Sequence, residues 1–217
     1  MRNLKIKNNE SGRSMIEMLG VLAIIGVLSV GGIAGYSKAM TKYRINKTIE
    51  QITLIAGNIR SFFAPQRSYA GISEAVIKKA KLVPDEMWDD SRIKNVWGGN
   101  FSISDVGLND VDNPDGKAFY FYLDEISEEA CIEIATQDWG AVSGSGFMAI
   151  GINTSDTRSG VPLYNITLKE CTGAIWNDAA YACSNGTTLS VPMPIDVAAS
   201  SCHIANNPSI SMEFKFY

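Results

Sequence analysis

Residues 12–36 read GRSMIEMLGVLAIIGVLSVGGIAGY, a short polar step with one glutamate followed by an unbroken apolar run. The 20 uncharged residues between Glu17 and Lys38 would span about 30 Å as a helix, which matches the hydrocarbon core of a bilayer. The sequence therefore predicts a transmembrane segment at 18–37.

The polar residues before this run set its direction in the membrane. Residues 1–12 carry Arg2, Lys5 and Lys7 against Glu10, which favours a cytoplasmic amino terminus and export of the rest of the chain. A cleaved secretory signal peptide has a shorter apolar core that ends in a small-residue site of A-x-A type. This run is longer and has no clear site of that kind, so we expect it to be retained.

The string from Gly12 to Glu17, GRSMIE, followed by MLGVLAIIGVLS, resembles the class III signal of type IV prepilins and of type II secretion pseudopilins. The resemblance implies that a prepilin peptidase on the cytoplasmic face removes residues 1–12 by cutting between Gly12 and Arg13. It also implies N-methylation of the new amino terminus. Glycine has no side chain to obstruct an extended approach to a peptidase. Arg13 departs from the family pattern, which has Phe, Met or Leu at this position.

Glu17 is the candidate assembly residue. A carboxylate at the edge of a membrane segment is costly when unpaired, and such a residue is a functional candidate. The resemblance implies that Glu17 pairs with the amino terminus of a neighbouring subunit when apolar helices pack into a filament. A glutamate that only marks the water interface is the alternative.

The helix is predicted to continue well beyond the membrane. Apolar residues recur at three- and four-residue spacing in one stripe, at Ile45, Ile49, Ile52, Ile55, Ile59 and Phe62. Pro65 ends the pattern, so we predict one helix over 13–63, roughly 75 Å long. Three glycines interrupt it at Gly31, Gly32 and Gly35; they are interpreted either as a point of bending or as a site of close helix packing.

Residues 64–217 have the length of one exported globular domain. Ser73 and Ser127, each followed by glutamate, predict the starts of two short helices, the first ending near Lys81. Alternating apolar residues predict strands over Ala118–Leu123 and Ile210–Phe216. The predicted fold class is α+β. The resemblance implies the type IV pilin fold, a long amino-terminal helix packed on an antiparallel sheet.

Four cysteines, Cys131, Cys171, Cys183 and Cys202, lie in the exported part. An even number in an oxidising compartment predicts two disulfides, and spacing alone leaves all three pairings open. A zinc site is disfavoured because no pair has C-x-x-C spacing and the chain's single histidine is His203.

A second similarity concerns the exported domain. The stretch from 97–99, Trp-Gly-Gly, through Phe119 to Cys131, with Cys202 ahead of the terminal strand, resembles type IVb pilins, a group that includes subunits of conjugative thin pili. This resemblance implies a disulfide between Cys131 and Cys202. It leaves Cys171 and Cys183 to form a second, local disulfide.

No constellation of catalytic residues, cofactor-binding residues or metal ligands is predicted, so the chain is not expected to be an enzyme. An acidic group is interpreted as a solvated loop rather than a cation site: Asp85, Glu86, Asp89 and Asp90. Asp110, Asp112 and Asp115 lack EF-hand spacing. The segment GAVSGSGFMAIG lacks phosphate-binding fingerprints and reads as a turn leading into a strand. A net charge of −4 predicts no specific nucleic-acid partner.

These features together predict a structural prepilin of a type IV pilus, built into a surface filament for adhesion, conjugation or aggregation. The expected partners are further copies of the chain, the prepilin peptidase, and the assembly platform with its ATPase. The expected location is the bacterial inner membrane and then the extracellular filament. The alternatives are a type II secretion pseudopilin and an uncleaved, signal-anchored extracytoplasmic binding domain.

Overall fold

The computed structural model describes residues 15–106, 116–139, 146–153, 176–177, 180–182, 192–203 and 210–216. The chain forms two compact units, Met1–Lys42 and Tyr43–Tyr217. One helix, α1 (Met15–Phe63), contributes to both units. The predicted long amino-terminal helix is therefore confirmed.

In the first unit, α1 is apolar and exposed. Its most apolar window of 18 residues has a mean hydropathy of 2.2, and none of that window is buried. By length and composition, this part of the helix is able to cross a membrane. The helix runs without interruption through Gly31, Gly32 and Gly35, and a Cβ atom added at any of them would have no neighbour within 4 Å.

In the second unit, α1 supplies one side of the hydrophobic core. The predicted stripe is buried at Ile45, Ile52, Ile55 and Ile59. The prediction is wrong for the last residue of the stripe, because Phe62 is 43% exposed whereas Phe63 is only 4% exposed. The step from Ile59 is four residues rather than three, as a repeat of 3.6 residues per turn requires at intervals.

The segment after α1 is short and irregular. Helix α2 (Glu74–Lys79) begins as predicted, with the Ser73 hydroxyl accepting a hydrogen bond from the Val76 amide at 3.4 Å. It ends before Lys81, which has a positive φ of 51°. A 3₁₀ turn and a small hairpin of β1 and β2 follow, at Asp85–Met87, Trp88–Asp89 and Arg92–Ile93.

The main sheet has six described strands, and all of their pairings are antiparallel. The strands are β3 (Phe101–Val106), β4 (Ala118–Ile126), β5 (Phe147–Asn153), β6 (Trp176–Asn177), β7 (Ala180–Ala182) and β8 (Ile210–Phe216). Their order is β3-β4-β8-β5-β7-β6. The last described strand in the chain, β8, therefore lies inside the sheet between β4 and β5.

The core face of the sheet agrees with the predicted alternation. Phe119, Phe121 and Leu123 of β4 are buried, and so are four residues of β8: Ile210, Met212, Phe214 and Phe216. The rings of Phe119 and Phe216 stack with centroids 5.4 Å apart. These aromatic contacts bind the two strands across the register Phe119↔Phe216.

Two helices flank the sheet, α3 (Glu128–Ala135) and α4 (Ile195–Ser201). Helix α3 begins as predicted, with Ser127 accepting a hydrogen bond from the Ala130 amide at 3.4 Å. Helix α4 was not predicted, and its amino-terminal cap, Pro194, makes no side-chain hydrogen bond. A disulfide joins Cys131 of α3 to Cys202, the residue after α4, with Cα atoms 5.8 Å apart.

Candidate functional site

The first candidate site is an exposed apolar surface on α1, which we call the stem (residues 15–36). Large apolar side chains along it are all exposed: Met15, Ile16, Met18, Leu19, Val21, Leu22, Ile24, Ile25, Val27, Leu28, Val30, Ile33 and Tyr36. Contiguous apolar surface of this extent marks a membrane or protein interaction site. The stem can therefore be covered by lipid or by other apolar helices.

Glu17 lies in the first turn of α1 and is exposed. It is the single charged residue of the stem. A carboxylate at this position is stabilised by the partial positive charge of the helix amino terminus. Gly12 and Arg13, the predicted processing site, lie outside the described residues.

The second candidate site is a buried polar cluster in the second unit, centred on Asn95. This side chain is 6% exposed. Its amide nitrogen donates to the carbonyl oxygens of Asn100 and Asp124, at 3.2 and 2.7 Å. Its amide oxygen accepts from the backbone N–H groups of Trp97 and Gly99, at 2.9 and 3.1 Å. All four hydrogen bonds of a side-chain amide are thus used to shape one loop.

Asp124 ties the same loop to β4. Its carboxylate accepts hydrogen bonds from the backbone and from the side-chain amide of Asn100, the latter at 3.0 Å. The strand pairing shifts between Leu123 and Ile126, and Glu125 has a positive φ of 59° there. Gly99 packs so closely on Asp124 that an added Cβ would lie 2.8 Å from its carbonyl carbon. Only glycine fits at this contact.

Trp97 connects the loop to α1. Its indole N–H donates to the Thr48 hydroxyl at 3.1 Å, and that hydroxyl donates to the Arg44 carbonyl at 2.9 Å. The Arg44 guanidinium lies 5.7 Å from the centre of the Trp97 ring, within cation–π range. The Trp-Gly-Gly segment that carried the resemblance thus fixes the loop on the helix.

Sequence reasoning quoted residues 97–99 but missed their partners. Asn95 and Asp124 are 29 residues apart, and neither belongs to a periodic pattern. The sequence offered one signal for these partners: asparagines lie on both sides of the Trp-Gly-Gly segment, Asn95 two residues before it and Asn100 directly after it. Local turn chemistry favours asparagine at such positions.

Lys47 links α1 to the 3₁₀ turn. Its ammonium lies 3.0 Å from a carboxylate oxygen of Glu86 and 3.7 Å from one of Glu50. The hydrogen bond with Glu86 raises the pKa of Lys47, and the same bond lowers the pKa of Glu86. The predicted acidic loop is exposed, but Glu86 is an ion-pair partner as well as a solvated residue.

The other acidic residues of that loop form no ligand set. Asp85, Asp89 and Asp90 are exposed, and the Lys78 ammonium lies over the Trp88 ring at 4.9 Å from its centre. Within the described residues, no group of three or more His, Cys, Asp or Glu side chains is placed to hold a metal ion. The residues 110–115 lie outside the described ranges.

Open surface cavities occur among the described residues of the second unit, and two of them lie near the loop. One, of about 190 Å³, is bordered by Tyr43, Lys47, Glu86 and Lys94 among others. A second, of about 350 Å³, lies between Glu74, the β2 strand and the start of β3.

The third candidate feature is the disulfide that the type IVb resemblance implied. Cys131 and Cys202 are both fully buried, and their bond closes a sequence separation of 71 residues. It links α3, which follows β4, to the segment that precedes β8. Cys171 and Cys183 lie outside the described residues.

The amino-acid sequence matches a family profile described as PilS N terminal over residues 42–207. The chain belongs to this family. The matched range excludes the residues 12–36 that carried the prepilin resemblance, so two separate parts of the chain agree. This PilS-family chain is a type IVb-like pilin, as the sequence predicted.

Individual relatives agree with this classification. The chain is 25% identical over 183 residues to the "Major structural subunit of bundle-forming pilus" of Escherichia coli O111:H- and to that of Escherichia coli O127:H6 (strain E2348/69 / EPEC). Each alignment covers 82% of this chain and 90% of the relative. Both relatives are structural pilus subunits and not enzymes.

Among solved structures, the chain is similar to a type IV b pilin from Salmonella typhi. The two are 15% identical with a TM-score of 0.49, and the match covers 78% of this chain and 97% of the other.

Proposed function

We propose that this chain is the structural subunit of a type IV pilus, made as a membrane-inserted prepilin and then packed through its stem into an extracellular filament. The observation that carries the proposal is α1, whose exposed apolar stem precedes a segment that is the core helix of a folded domain. Family membership and the two bundle-forming pilus relatives support it.

The stem explains both locations of the protein. In the membrane, lipid covers residues 18–37, whose apolar length matches the hydrocarbon core. After extraction by the assembly platform and its ATPase, only other stems can cover the same surface, because apolar side chains such as Leu22 and Leu28 are unstable in water. Self-assembly is the consequence.

Processing prepares the stem for packing. The prepilin peptidase cuts between Gly12 and Arg13, which removes the leader and its net charge of +2, from three basic residues and one acidic residue. The new amino terminus, which is then methylated, is four residues before Glu17. Glu17 pairs with the amino terminus of a neighbouring subunit, since a buried carboxylate needs an opposite charge.

The two disulfides keep the exported domain folded outside the cell. Cys131 and Cys202 hold α3 and α4 together, and Cys171 and Cys183 form a second, local bond. The outer surface of this domain is the surface of the filament. Adhesion, conjugative contact and aggregation are the roles that this surface serves.

Amino-terminal mass spectrometry of sheared surface filaments, from cells with and without the prepilin peptidase, tests the processing step. We expect a chain that begins at Arg13, with the mass of one added methyl group, only when the peptidase is present. An intact Met1 confined to the membrane fraction would instead support an uncleaved, tethered domain.

The role of Glu17 is tested by a matched pair of variants. Glu17→Gln keeps the size of the side chain and removes its charge, whereas Glu17→Asp keeps the charge. We expect Glu17→Gln to reduce the sheared filament fraction at least about tenfold, equivalent to about 1.4 kcal/mol per subunit, at an unchanged membrane level. Normal filament yield from Glu17→Gln would mean that Glu17 only marks the interface.

A further inference from the structure

Positive charge is concentrated where the second unit begins. Residues 38–47 contain Lys38, Lys42, Arg44 and Lys47 and no acidic residue. The second unit as a whole is strongly acidic. Six basic and two acidic residues fall in 1–42, which leaves 13 basic and 21 acidic residues, a net charge of −8, in 43–217.

The structure brings a further basic residue to the same place. Tyr43 is 59% exposed, and Arg44 is exposed beside the Trp97 ring. Lys47 and Lys94 border the cavity of about 190 Å³ together with Tyr43. Tyr43, Arg44, Lys47 and Lys94 are called the basic cluster below.

The charges of the basic cluster are only partly compensated. Glu86 and Glu50 lie beside Lys47, and the Arg44 guanidinium lies on an aromatic ring rather than on a carboxylate. No ion pair joins Lys94 to an acidic residue within the described ranges. Lys94 and Arg44 are therefore the two cations able to take an external anion.

The sequence keeps the basic cluster close to the membrane. Ser37 ends the predicted transmembrane segment, and Tyr43 follows six residues later. Even a fully extended chain of that length spans at most about 21 Å. The cluster is thus held within reach of lipid headgroups while the chain is in the membrane. Tyrosine is also enriched at that interface.

We propose that the basic cluster binds the phosphate groups of anionic phospholipids while the prepilin is in the membrane. An acidic domain tethered this closely to an anionic surface is repelled unless its basic residues face that surface. Phosphate accepts hydrogen bonds from lysine, arginine and the tyrosine hydroxyl alike. The inference rests on the proposed function only in requiring that the stem is inserted in a membrane.

The alternative occupant of the basic cluster is the acidic surface of a second copy of the chain, because residues 43–217 carry a net charge of −8. The membrane is favoured because its distance from Tyr43 is fixed by covalent connection, whereas a second copy has to be recruited. Lipid binding also adds a consequence for assembly. The contact is lost when the subunit leaves the membrane, so it resists extraction and is released on incorporation into a filament.

The test uses the full chain reconstituted in vesicles of phosphatidylcholine mixed with phosphatidylglycerol. Spin-labelled forms of the two lipids report which one is held at the protein surface. We expect a preference for phosphatidylglycerol of about fivefold for each cation in contact with the lipid, or roughly 25-fold for Arg44 and Lys94 together. Raising sodium chloride to about 1 M, where the Debye length is about 3 Å, should abolish it.

A pair of matched double variants localises the effect. Arg44→Gln with Lys94→Gln should lose the preference, whereas Lys79→Gln with Lys81→Gln removes the same charge from exposed residues near α2 and should keep it. Lys94→Arg keeps the charge and should keep the preference. Lys94→Gln alone, which leaves the Arg44–Trp97 contact intact, gives the answer if the double variant fails to fold.

Four results would overturn the inference. The first is a wild-type chain without lipid preference, and the second is an equal loss of lipid preference in both double variants. The third is competition by inorganic phosphate that exceeds competition by chloride at equal ionic strength, which would indicate a free-phosphate site. Reduced self-association of Arg44→Gln with Lys94→Gln at unchanged lipid preference would indicate a second copy as the occupant.

Filament yield from the same cells separates the two proposals. Filaments without lipid preference refute only this inference, and lipid preference without filaments refutes only the pilus function.

Discussion

Replacing Asn95 by alanine tests whether the buried polar cluster holds the loop 94–100 in place. The side chain makes four hydrogen bonds, two as donor and two as acceptor, and is almost completely buried. Alanine keeps the backbone and removes all four. The loop would then be connected to α1 only through Trp97 and to β4 only through Asp124.

The cost follows from the groups left without a partner. The Asn100 carbonyl still accepts a hydrogen bond from the Asp124 amide at 3.3 Å, and the half-buried Trp97 amide can reach water. The buried Gly99 amide and the Asp124 carbonyl lose the Asn95 side chain. Each unsatisfied buried group costs about 1–3 kcal/mol, so we expect Asn95→Ala to lower the free energy of unfolding by about 3–4 kcal/mol.

The measurement is urea unfolding of the full chain in a non-denaturing detergent, followed by tryptophan fluorescence. Asn58→Ala is the matched control, because Asn58 makes a hydrogen bond of the same kind, its amide nitrogen donating to the Leu82 carbonyl at 3.0 Å. That loss should cost about 1 kcal/mol. Equal losses for the two variants would refute the reasoning, since the cluster would then be worth no more than a single hydrogen bond.

Three further predictions concern single contacts of the second unit. Replacing Cys131 and Cys202 together by serine should lower the free energy of unfolding by about 4 kcal/mol, the chain-entropy value for a loop of this length; an unchanged urea midpoint would contradict it. Lys81→Gly should raise the urea midpoint, equivalent to about 0.5–1 kcal/mol, because glycine accepts the positive φ after α2; a lower midpoint would contradict it. The Lys47–Glu86 pair should stabilise the fold in a limited pH window. The pKa of Glu86 is lowered in the folded chain, so its contribution to stability is present above about pH 4.3 and is lost as the pH falls through its folded pKa. The pKa of Lys47 is raised in the folded chain, so its contribution to stability is present below about pH 10.4 and is lost as the pH rises through its folded pKa. The midpoints of wild type and Glu86→Gln should therefore converge at both extremes of pH, and a constant difference would argue against the pair.

The parts of the fold that were predictable are those that a local pattern encodes. The stripe of α1, the serine caps of α2 and α3, and the alternation of β8 each repeat a signal within about ten residues. Burial then follows from periodicity alone. The error at Phe62 shows the limit, because adjacent phenylalanines both satisfy a helical spacing and only the packed structure selects Phe63.

The parts that were not predictable depend on residues far apart in sequence. The Asn95–Asp124 cluster joins a loop to a strand across 29 residues, and no periodicity marks either partner. Helix α4 is short and has Pro194 at its amino-terminal cap without a side-chain hydrogen bond. The pairing of Cys131 with Cys202 came from a family resemblance, because spacing permits three arrangements.

Under the proposed function, the sheet order has a consequence for the order of folding and export. Strand β8 pairs with both β4 and β5, so among the described strands the two sides of the sheet meet through residues 210–216. The disulfide partner Cys202 lies just before that strand. In the proposed pathway, the domain therefore cannot close its core until these late residues have crossed the membrane, because the stem is inserted before them. The late strand and the late cysteine then complete the core together, so the proposed pathway couples folding of the subunit to export of Cys202 and β8.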